Sequence, residues 1–285
     1  MRALFSWLIR LSRPHIWIYT IGPFYLGTIV AQKGNIGIYN WEHPLIILFF
    51  ILWLTLPANI FTYGLNDIFD YATDLKNPKK VKFEKTLSLL EQKRAVLAAF
   101  FAVLPLIIVI PILPPFVAFL VATWLLIILS YNIPPFRLKG RPIWDFVFGF
   151  SYPIWGIVGY TLVSSTPHIN LLIILTLFLA GSAFHLYASI SDRRWDEIAQ
   201  LRTTAVAIGS TTKNLWISGV FFGIAAPILY FQGYYKIAFF SIIFPLFFML
   251  QIFFGTEDEQ SLLSWYRAMI LFQYVAGFTL SFIIT

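Results

Sequence analysis

Apolar stretches of membrane-spanning length, separated by short polar segments, dominate the hydrophobic and polar pattern of this chain. Nine stretches approach the roughly 20 residues that a helix needs to cross about 30 Å of hydrocarbon. Pro111 and Pro114 mark the break between the third and fourth, which together are too long for one span. The pattern therefore predicts an all-α integral membrane protein with nine transmembrane helices. These cover residues 16–32, 44–65, 95–113, 114–131, 143–163, 171–190, 215–231, 237–254 and 268–284.

The composition agrees with this prediction. Charged residues make up 12% of the chain and hydrophobic residues 59%, whereas a soluble domain usually carries about 25% charge. The absence of cysteine excludes disulfides, thiolate nucleophiles and Cys-based metal sites. Residues 1–14 are basic and then apolar, without a small-residue cleavage site, and are expected to lead into the first helix. Residues 1–285 are predicted to form a single transmembrane domain.

The basic residues indicate the orientation in the membrane. With the N-terminus inside, 18 of the 20 Lys and Arg residues fall in inside segments, and only Lys33 and Lys236 fall outside. Because cytoplasmic loops are enriched in Lys and Arg, we expect the N-terminus on the cytoplasmic side of the cell membrane. The net charge of +7 is explained by this asymmetry and by attraction to anionic lipid. Nucleic-acid binding is not expected, since it needs a soluble basic face.

Two clusters of acidic residues interrupt the apolar pattern. In a helix, the aspartates of the first cluster, spaced i, i+3 and i+7, would lie on one face. Those of the second cluster, spaced i and i+4, would also lie on one face. Four predicted spans separate the clusters, so both are expected on the cytoplasmic side. Hard oxygen ligands at this density suit Mg²⁺, which often binds through carboxylates together with substrate phosphates. The candidate metal ligands are Asn66, Asp67, Asp70 and Asp74 in the first cluster and Asp192 and Asp196 in the second.

A diphosphate also needs cations or fixed donors beyond a metal ion. Basic residues near the predicted cytoplasmic helix ends are candidates, although topology alone also places such residues there. These are Arg13, Arg137, Lys139, Arg141 and Arg202. Two candidates for contact with a carbocation or an acceptor are Tyr131, through its ring, and His185, which lies seven residues before Asp192. A packing role for either side chain remains an alternative.

At these residues the sequence resembles the UbiA superfamily of intramembrane prenyltransferases, whose two motifs read approximately N-D-x-x-D-x-x-x-D and D-x-x-x-D. All fixed positions of both motifs are filled by the two acidic clusters. Gln200 stands where the family usually has glycine after the second motif. Further stretches that agree in order are Arg13-Pro14, residues 130–135, Arg137-Leu138-Lys139, Arg141-Pro142 and Arg202-Thr203.

The resemblance implies a bundle of nine helices around a central cavity open to lipid. It implies that Mg²⁺ bound by the aspartates activates a prenyl diphosphate, whose allylic group is attacked by a hydrophobic acceptor within the lipid bilayer. The catalytic residues would be Asp67, Asp70, Asp192 and Asp196.

Residues 63–80, 141–145 and 274–278 are similar to the carotenoid-elongating branch, the lycopene elongases. Those enzymes add a dimethylallyl unit to lycopene, and water addition or proton loss quenches the resulting cation. Quinone precursors, tetrapyrroles and glycerol ethers remain alternative acceptors. Two alternatives from other classes are a membrane transporter, because carboxylates in a helix bundle often mark ion pathways, and a catalytically silent relative that binds prenyl lipids.

Overall fold

The computed structural model describes residues 2–32, 43–74, 87–164 and 169–284, and within these ranges the chain is helical with no β-strand. Short 3₁₀ turns join several helices. In chain order the helices are α1 (Arg2–Leu11), α2 (Ile18–Ala31), α3 (Pro44–Trp53), α4 (Leu56–Phe69), α5 (Tyr71–Asp74), α6 (Leu89–Val109), α7 (Pro115–Asn132), α8 (Phe146–Gly149), α9 (Ile154–Val163), α10 (Leu171–Ile190), α11 (Arg193–Ile198), α12 (Thr204–Ile208), α13 (Thr211–Phe231), α14 (Tyr235–Ser241), α15 (Ile243–Phe254) and α16 (Glu259–Ile284).

In the part of the chain that the structure describes, seven helical segments are long and apolar enough to cross a membrane. The pair α3 and α4 forms an eighth if the two helices, bent by 42°, make one span. Helix α2 is apolar but has only 14 residues. The all-α integral membrane class is therefore confirmed, while nine crossings stay a prediction. The seven segments are Leu89–Ile112, Pro115–Asn132, Phe146–Val163, Leu171–Ile190, Thr211–Phe231, Tyr235–Phe254 and Glu259–Ile284.

Polar caps set where several helices begin. Ser88 and Glu91 form a reciprocal capping box at the start of α6, which satisfies backbone donors that have no partner inside the helix. The side chain of Asn170 accepts from the Ile173 amide, 3.0 Å away, at the start of α10. Thr203 caps α12 in the same way. Local sequence therefore defines the start of α12, the helix that follows α11 in the chain.

The bend between α3 and α4 is held by a buried polar group. Asn59 donates to the carbonyl oxygens of Leu54 and Thr55, at 2.9 and 2.6 Å, and to the hydroxyl of Thr20 at 3.0 Å. Thr20 in turn donates to the Leu54 carbonyl at 2.7 Å. These bonds satisfy carbonyls that the bend removes from the helical ladder, because no water is present in hydrocarbon to do so. These bonds join α2 to the start of α4, the helix that carries Asn66 and Asp67 of the first acidic cluster near its end.

Glycines allow two close helix crossings. A Cβ built on Gly27 of α2 would overlap the carbonyl oxygen of Gly156 in α9, and one built on Gly159 would overlap a carbonyl of α2. Gly149 of α8 and Gly181 of α10 meet in the same manner. Small residues let helix backbones approach closely in membranes. The second crossing brings α8 against α10, which carries the second acidic cluster at its end.

Two hydrophobic cores stabilise two groups of helices. In the first, the rings of Trp53, Trp124 and Trp155 pack with centroids 5.1 to 5.8 Å apart. The second is built from α10, α13, α15 and α16 around residues such as Phe222 and Phe248. Offset and edge-on aromatic pairs contribute beyond the area that they bury. Side chains from both groups line one cavity.

Candidate active site

The first acidic cluster lies where α4 ends, at Phe69. The Asp70 amide donates to the Asn66 carbonyl at 2.9 Å, and the Asp74 amide donates to the Asp70 carbonyl at 2.8 Å. The helical turn thus continues from α4 into α5 across a break at Asp70, rather than as the single helix that the spacing predicted. Asp70 and Asp74 are nevertheless buried, with 1% and 8% exposure.

The second cluster lies at a similar break. Helix α10 ends at Ile190, and Asp192 is the N-cap residue of α11. The Asp196 amide donates to the Asp192 carbonyl at 2.9 Å, which keeps the predicted i, i+4 spacing. Both clusters therefore lie at the C-terminal ends of long helices, each followed by a short helix.

The two clusters meet at one cavity of about 150 Å³. The first cluster contributes Asn66 and Asp74, and the second contributes Asp192 and Asp196. Four other candidates from the sequence also line the cavity, namely Arg13, Tyr131, Lys139 and His185. One space thus contains carboxylates, cations and aromatic rings, as a site for a diphosphate and its apolar chain requires.

Ion pairs join the basic candidates to the first cluster. Arg13 pairs with Asp67 at 2.5 Å, and its guanidinium lies 5.2 Å from the centroid of the Tyr63 ring. Lys139 donates to Asp70, and Arg137 lies 3.5 Å from the other oxygen of that carboxylate. Charge-assisted bonds of this kind are stronger than neutral ones. Two of the three cations therefore share one buried carboxylate.

Lys139 connects the two clusters electrostatically. Burial alone would lower the pKa of Lys139, but the carboxylates of Asp70, Asp196 and Asp74 raise it above its usual value. Asp196 belongs to the second cluster and the other two to the first, so this ammonium group is influenced by both. The side chain is 14% exposed, and it remains charged at neutral pH.

Arg141 and Arg202 are not brought to the cavity. Arg141 is exposed and donates to the Pro135 carbonyl of its own loop at 3.0 Å. Arg202 is exposed and is absent from the cavity lining. Its neighbour Thr203 lines the cavity instead. Contact of these two arginines with a diphosphate stays a prediction.

Asp145 is a buried carboxylate that the sequence reasoning did not select. Its two oxygens accept from the backbone amide of Thr204, at 2.7 Å, and from the Thr204 hydroxyl. The Ile143 amide donates to the same hydroxyl at 2.6 Å, and Ile143 has φ of 74°, unusual for a β-branched residue. Burial raises the pKa of Asp145, although both bonds from Thr204 act in the opposite direction. The sequence signal that could have identified Asp145 is a single carboxylate near the start of an apolar stretch.

These contacts form a latch, defined here as Ile143, Asp145 and Thr204, between two loops. One loop carries Arg137 and Lys139, and the other follows the second acidic cluster. Unusual backbone conformations persist only where surrounding contacts hold them. The latch therefore positions the cationic loop relative to α12.

The donor set fits Mg²⁺ that binds together with a diphosphate. In the described ranges, no three His, Cys, Asp or Glu side chains lie close enough to hold a metal ion by themselves. Mg²⁺ does not need such a cluster, since it usually binds through one or two carboxylates, water and substrate phosphates. Carboxylate and amide oxygens from both clusters at one cavity supply suitable ligands.

Comparisons with known proteins agree with this geometry. The model of the UbiA prenyltransferase family matches residues 20–276. A lycopene elongase/hydratase of Haloarcula japonica is 31% identical over 218 residues, which cover 73% of this chain and 69% of the relative. One from Halobacterium salinarum is 31% identical over 219 residues, which cover 76% of each chain. The predicted similarity to the lycopene elongase branch is therefore confirmed.

A solved structure shares the fold. A UbiA homolog from Archaeoglobus fulgidus bound to GPP and Mg²⁺ has a TM-score of 0.64 at 16% identity, covering 96% of this chain and 99% of that chain. The same homolog bound to DMAPP and Mg²⁺ has a TM-score of 0.62 at 16% identity, covering 96% and 98%. A sequence identity this low supports only the statement that the two proteins share a fold. With the family match spanning most of the chain, the protein belongs to the UbiA prenyltransferase family and is an integral membrane prenyltransferase.

Proposed function

We propose that this enzyme transfers a dimethylallyl group from its diphosphate to the end of lycopene, with Mg²⁺, inside the membrane. The observation that carries the proposal is the meeting of both acidic clusters with Lys139 at one cavity. Two relatives at 31% identity are named lycopene elongase/hydratase, and a protein of the same fold binds DMAPP and Mg²⁺. These similarities support the choice of acceptor and donor.

At the diphosphate headgroup, the carboxylates and the cations would have different roles. Mg²⁺ would be held by Asn66, Asp67, Asp70, Asp192 and Asp196, with Asp74 supporting them. The metal ion would supply charge neutralisation of the leaving diphosphate. Arg13, Arg137 and Lys139, already paired with the first cluster, would donate to phosphate oxygens.

The reaction then proceeds by exchange of bonds. The carbon–oxygen bond of the allylic diphosphate breaks, and the electron pair leaves with the diphosphate. The terminal double bond of the acceptor supplies the electrons of the new carbon–carbon bond, which leaves a cation on the acceptor. The rings of Tyr131, Phe148 and Tyr152 line the cavity and would attract that cation through their π-faces.

We also propose that the cavity opens towards the cytoplasmic side of the cell membrane. Arg13, Lys139 and the second acidic cluster follow or precede predicted spans on the side that carries 18 of the 20 basic residues. The donor is charged and water-soluble, so a headgroup site on that side is reached without crossing hydrocarbon.

The test is expression in a lycopene-producing host with mass analysis of the pigments. Wild-type enzyme should lengthen lycopene, whereas Asp67→Ala and Asp192→Ala should lower transfer about 100-fold or more, because each removes an oxygen ligand from the headgroup site. Chelation of divalent metal in isolated membranes should mimic both variants.

Glu197→Ala is the matched control, since Glu197 is exposed beside Asp196 and absent from the cavity lining. All variants should elute as folded protein in detergent. Full activity of both aspartate variants would dispose of the headgroup site. Unchanged lycopene beside turnover of another acceptor would overturn the elongase assignment alone.

A further inference from the structure

Thr62 is a buried polar residue that the transfer step leaves without a role. It lies on α4, is 4% exposed and lines the cavity. Its hydroxyl has no hydrogen-bond partner among the described residues. A threonine in a helix commonly donates to a carbonyl of the preceding turn, as Thr176 does to Leu172 at 2.8 Å. A buried unsatisfied group requires an explanation, and a bound water molecule supplies one where the space is roomy enough.

His185 lines the same cavity from the opposite helix group. It lies on α10 and is 7% exposed. Its ring packs against aromatic neighbours, with centroid distances of 5.7 Å to Tyr131 and 5.4 Å to Phe148. Ser189, one turn further along α10, also lines the cavity. A buried imidazole among aromatic rings can accept a proton from a single bound water molecule, because bulk water has little access to it.

Thr62 and His185 each lie one to two helical turns before an acidic cluster in the sequence. Thr62 precedes Asp67 by five residues, and His185 precedes Asp192 by seven. At 1.5 Å per residue these separations are about 8 and about 10 Å along the helix axes. Both acidic clusters lie at C-terminal helix ends, so both polar groups lie on the same, apolar side of them.

We propose that Thr62 and His185 hold the water molecule that ends the reaction by adding to the acceptor. The Thr62 hydroxyl and the imidazole bind the water. Its oxygen forms a bond to the cationic carbon that remains on the acceptor, and His185 accepts the proton that the water loses. Diphosphate departs with the electrons of the broken carbon–oxygen bond, so no oxidant or reductant is needed. This inference rests on the proposed function and adds the residues that decide between alcohol and alkene products.

The experiment uses membranes that contain the full chain, with lycopene, dimethylallyl diphosphate, Mg²⁺ and ¹⁸O-labelled water. Mass analysis separates the lengthened alcohol from the lengthened alkene, and diphosphate release is measured in parallel. Wild-type enzyme should give an alcohol that carries the label. His185→Gln should lower the alcohol-to-alkene ratio about 100-fold, as expected for loss of a general base. Thr62→Val should lower it about tenfold through loss of one hydrogen bond.

Diphosphate release should fall much less than the alcohol-to-alkene ratio in both variants, because the water adds only after the carbon–oxygen bond of the donor has broken. Thr62→Ser retains the hydroxyl and should restore the wild-type ratio. Thr176→Val is the matched control, since this buried threonine of α10 is absent from the cavity lining.

An unchanged product ratio in His185→Gln and Thr62→Val, with diphosphate release intact, would overturn the inference. So would a wild-type enzyme that forms only alkene, while lycopene elongation itself would stand. Absence of any lengthened pigment from wild-type enzyme would instead contradict the proposed function, and the water site would fall with it.

Discussion

At the scale of single residues, Lys139 interacts with carboxylates of both acidic clusters. It donates to Asp70, and the carboxylates of Asp74 and Asp196 contribute to raising its pKa. A compact ammonium on a flexible stem can change partners more easily than a guanidinium fixed in a fork. We therefore expect Lys139 to exchange carboxylate for phosphate oxygens when the donor binds.

Lys139→Met should raise KM for the prenyl diphosphate about tenfold or more, because a charge-assisted bond contributes about 1.5–3 kcal/mol. Lys139→Arg keeps the charge and should recover part of this loss. Initial rates against donor concentration separate KM from kcat. A wild-type KM in the methionine variant would show that Lys139 serves only to neutralise Asp70.

Gln200 has a backbone conformation that glycine would adopt more easily. Its φ is 59°, and it follows α11, where the Leu201 amide donates to the Asp196 carbonyl at 2.8 Å. Such a left-handed residue after a helix is usually glycine. The departure from the family pattern therefore places a residue other than glycine in a left-handed conformation.

Gln200→Gly should be neutral or stabilise the protein by about 1 kcal/mol, since relief of the left-handed conformation is partly offset by the entropy of glycine in the unfolded chain. Gln200→Val should destabilise it, because β-branched residues tolerate this region poorly. Thermal unfolding in detergent measures both. A glycine variant less stable than wild type would mean that the Gln200 side chain makes a stabilising contact.

At the scale of elements, the latch of Ile143, Asp145 and Thr204 couples two loops that are about 60 residues apart in sequence. The loop before α8 carries Arg137 and Lys139, which pair with Asp70 of the first cluster. The loop before α12 carries Thr203, which lines the cavity. Packing alone does not define the distance between such loops, whereas three hydrogen bonds do.

Thr204→Val removes the hydroxyl that joins the Ile143 amide to Asp145. We expect KM for the donor to rise about tenfold, in line with the loss of one or two hydrogen bonds, while kcat at saturating donor changes less. Thr204→Ser retains the hydroxyl and should behave as wild type. Equal losses of kcat and folded yield, without a change in KM, would assign the latch to stability alone.

At the scale of the whole molecule, the absence of cysteine makes the orientation directly measurable. Lys213 and Lys236 lie at the starts of α13 and α14, on opposite ends of α13, and both are exposed. Lys236→Cys should react with a membrane-impermeant maleimide in intact cells. Lys213→Cys should react only after the membrane is opened. Labelling of both positions from the same side would contradict the predicted topology.

The apolar pattern predicted most helices closely. The stretch 171–190 coincides with α10, and 114–131 differs from α7 by one residue at each end. The stretch 44–65 was predicted as one helix but is bent between α3 and α4. Asn59 and Thr20 form hydrogen bonds at the bend, which hydropathy does not predict. The helix over 268–284 begins earlier, at Glu259, since a helix continues into water beyond its apolar portion.

The sequence by itself determined the membrane class, the acidic motifs and the family, because lipid restricts the composition of every spanning residue and each motif lies within a few residues at helical spacing. Only the tertiary structure decided which cations meet the carboxylates. Lys139 reaches Asp70, whereas Arg141 turns back to its own loop. The tertiary structure also decided that Asp145 accepts hydrogen bonds from Thr204, and that the Thr62 hydroxyl has no hydrogen-bond partner within the described ranges. Contacts between residues distant in sequence depend on how helices cross, and local pattern does not encode that geometry.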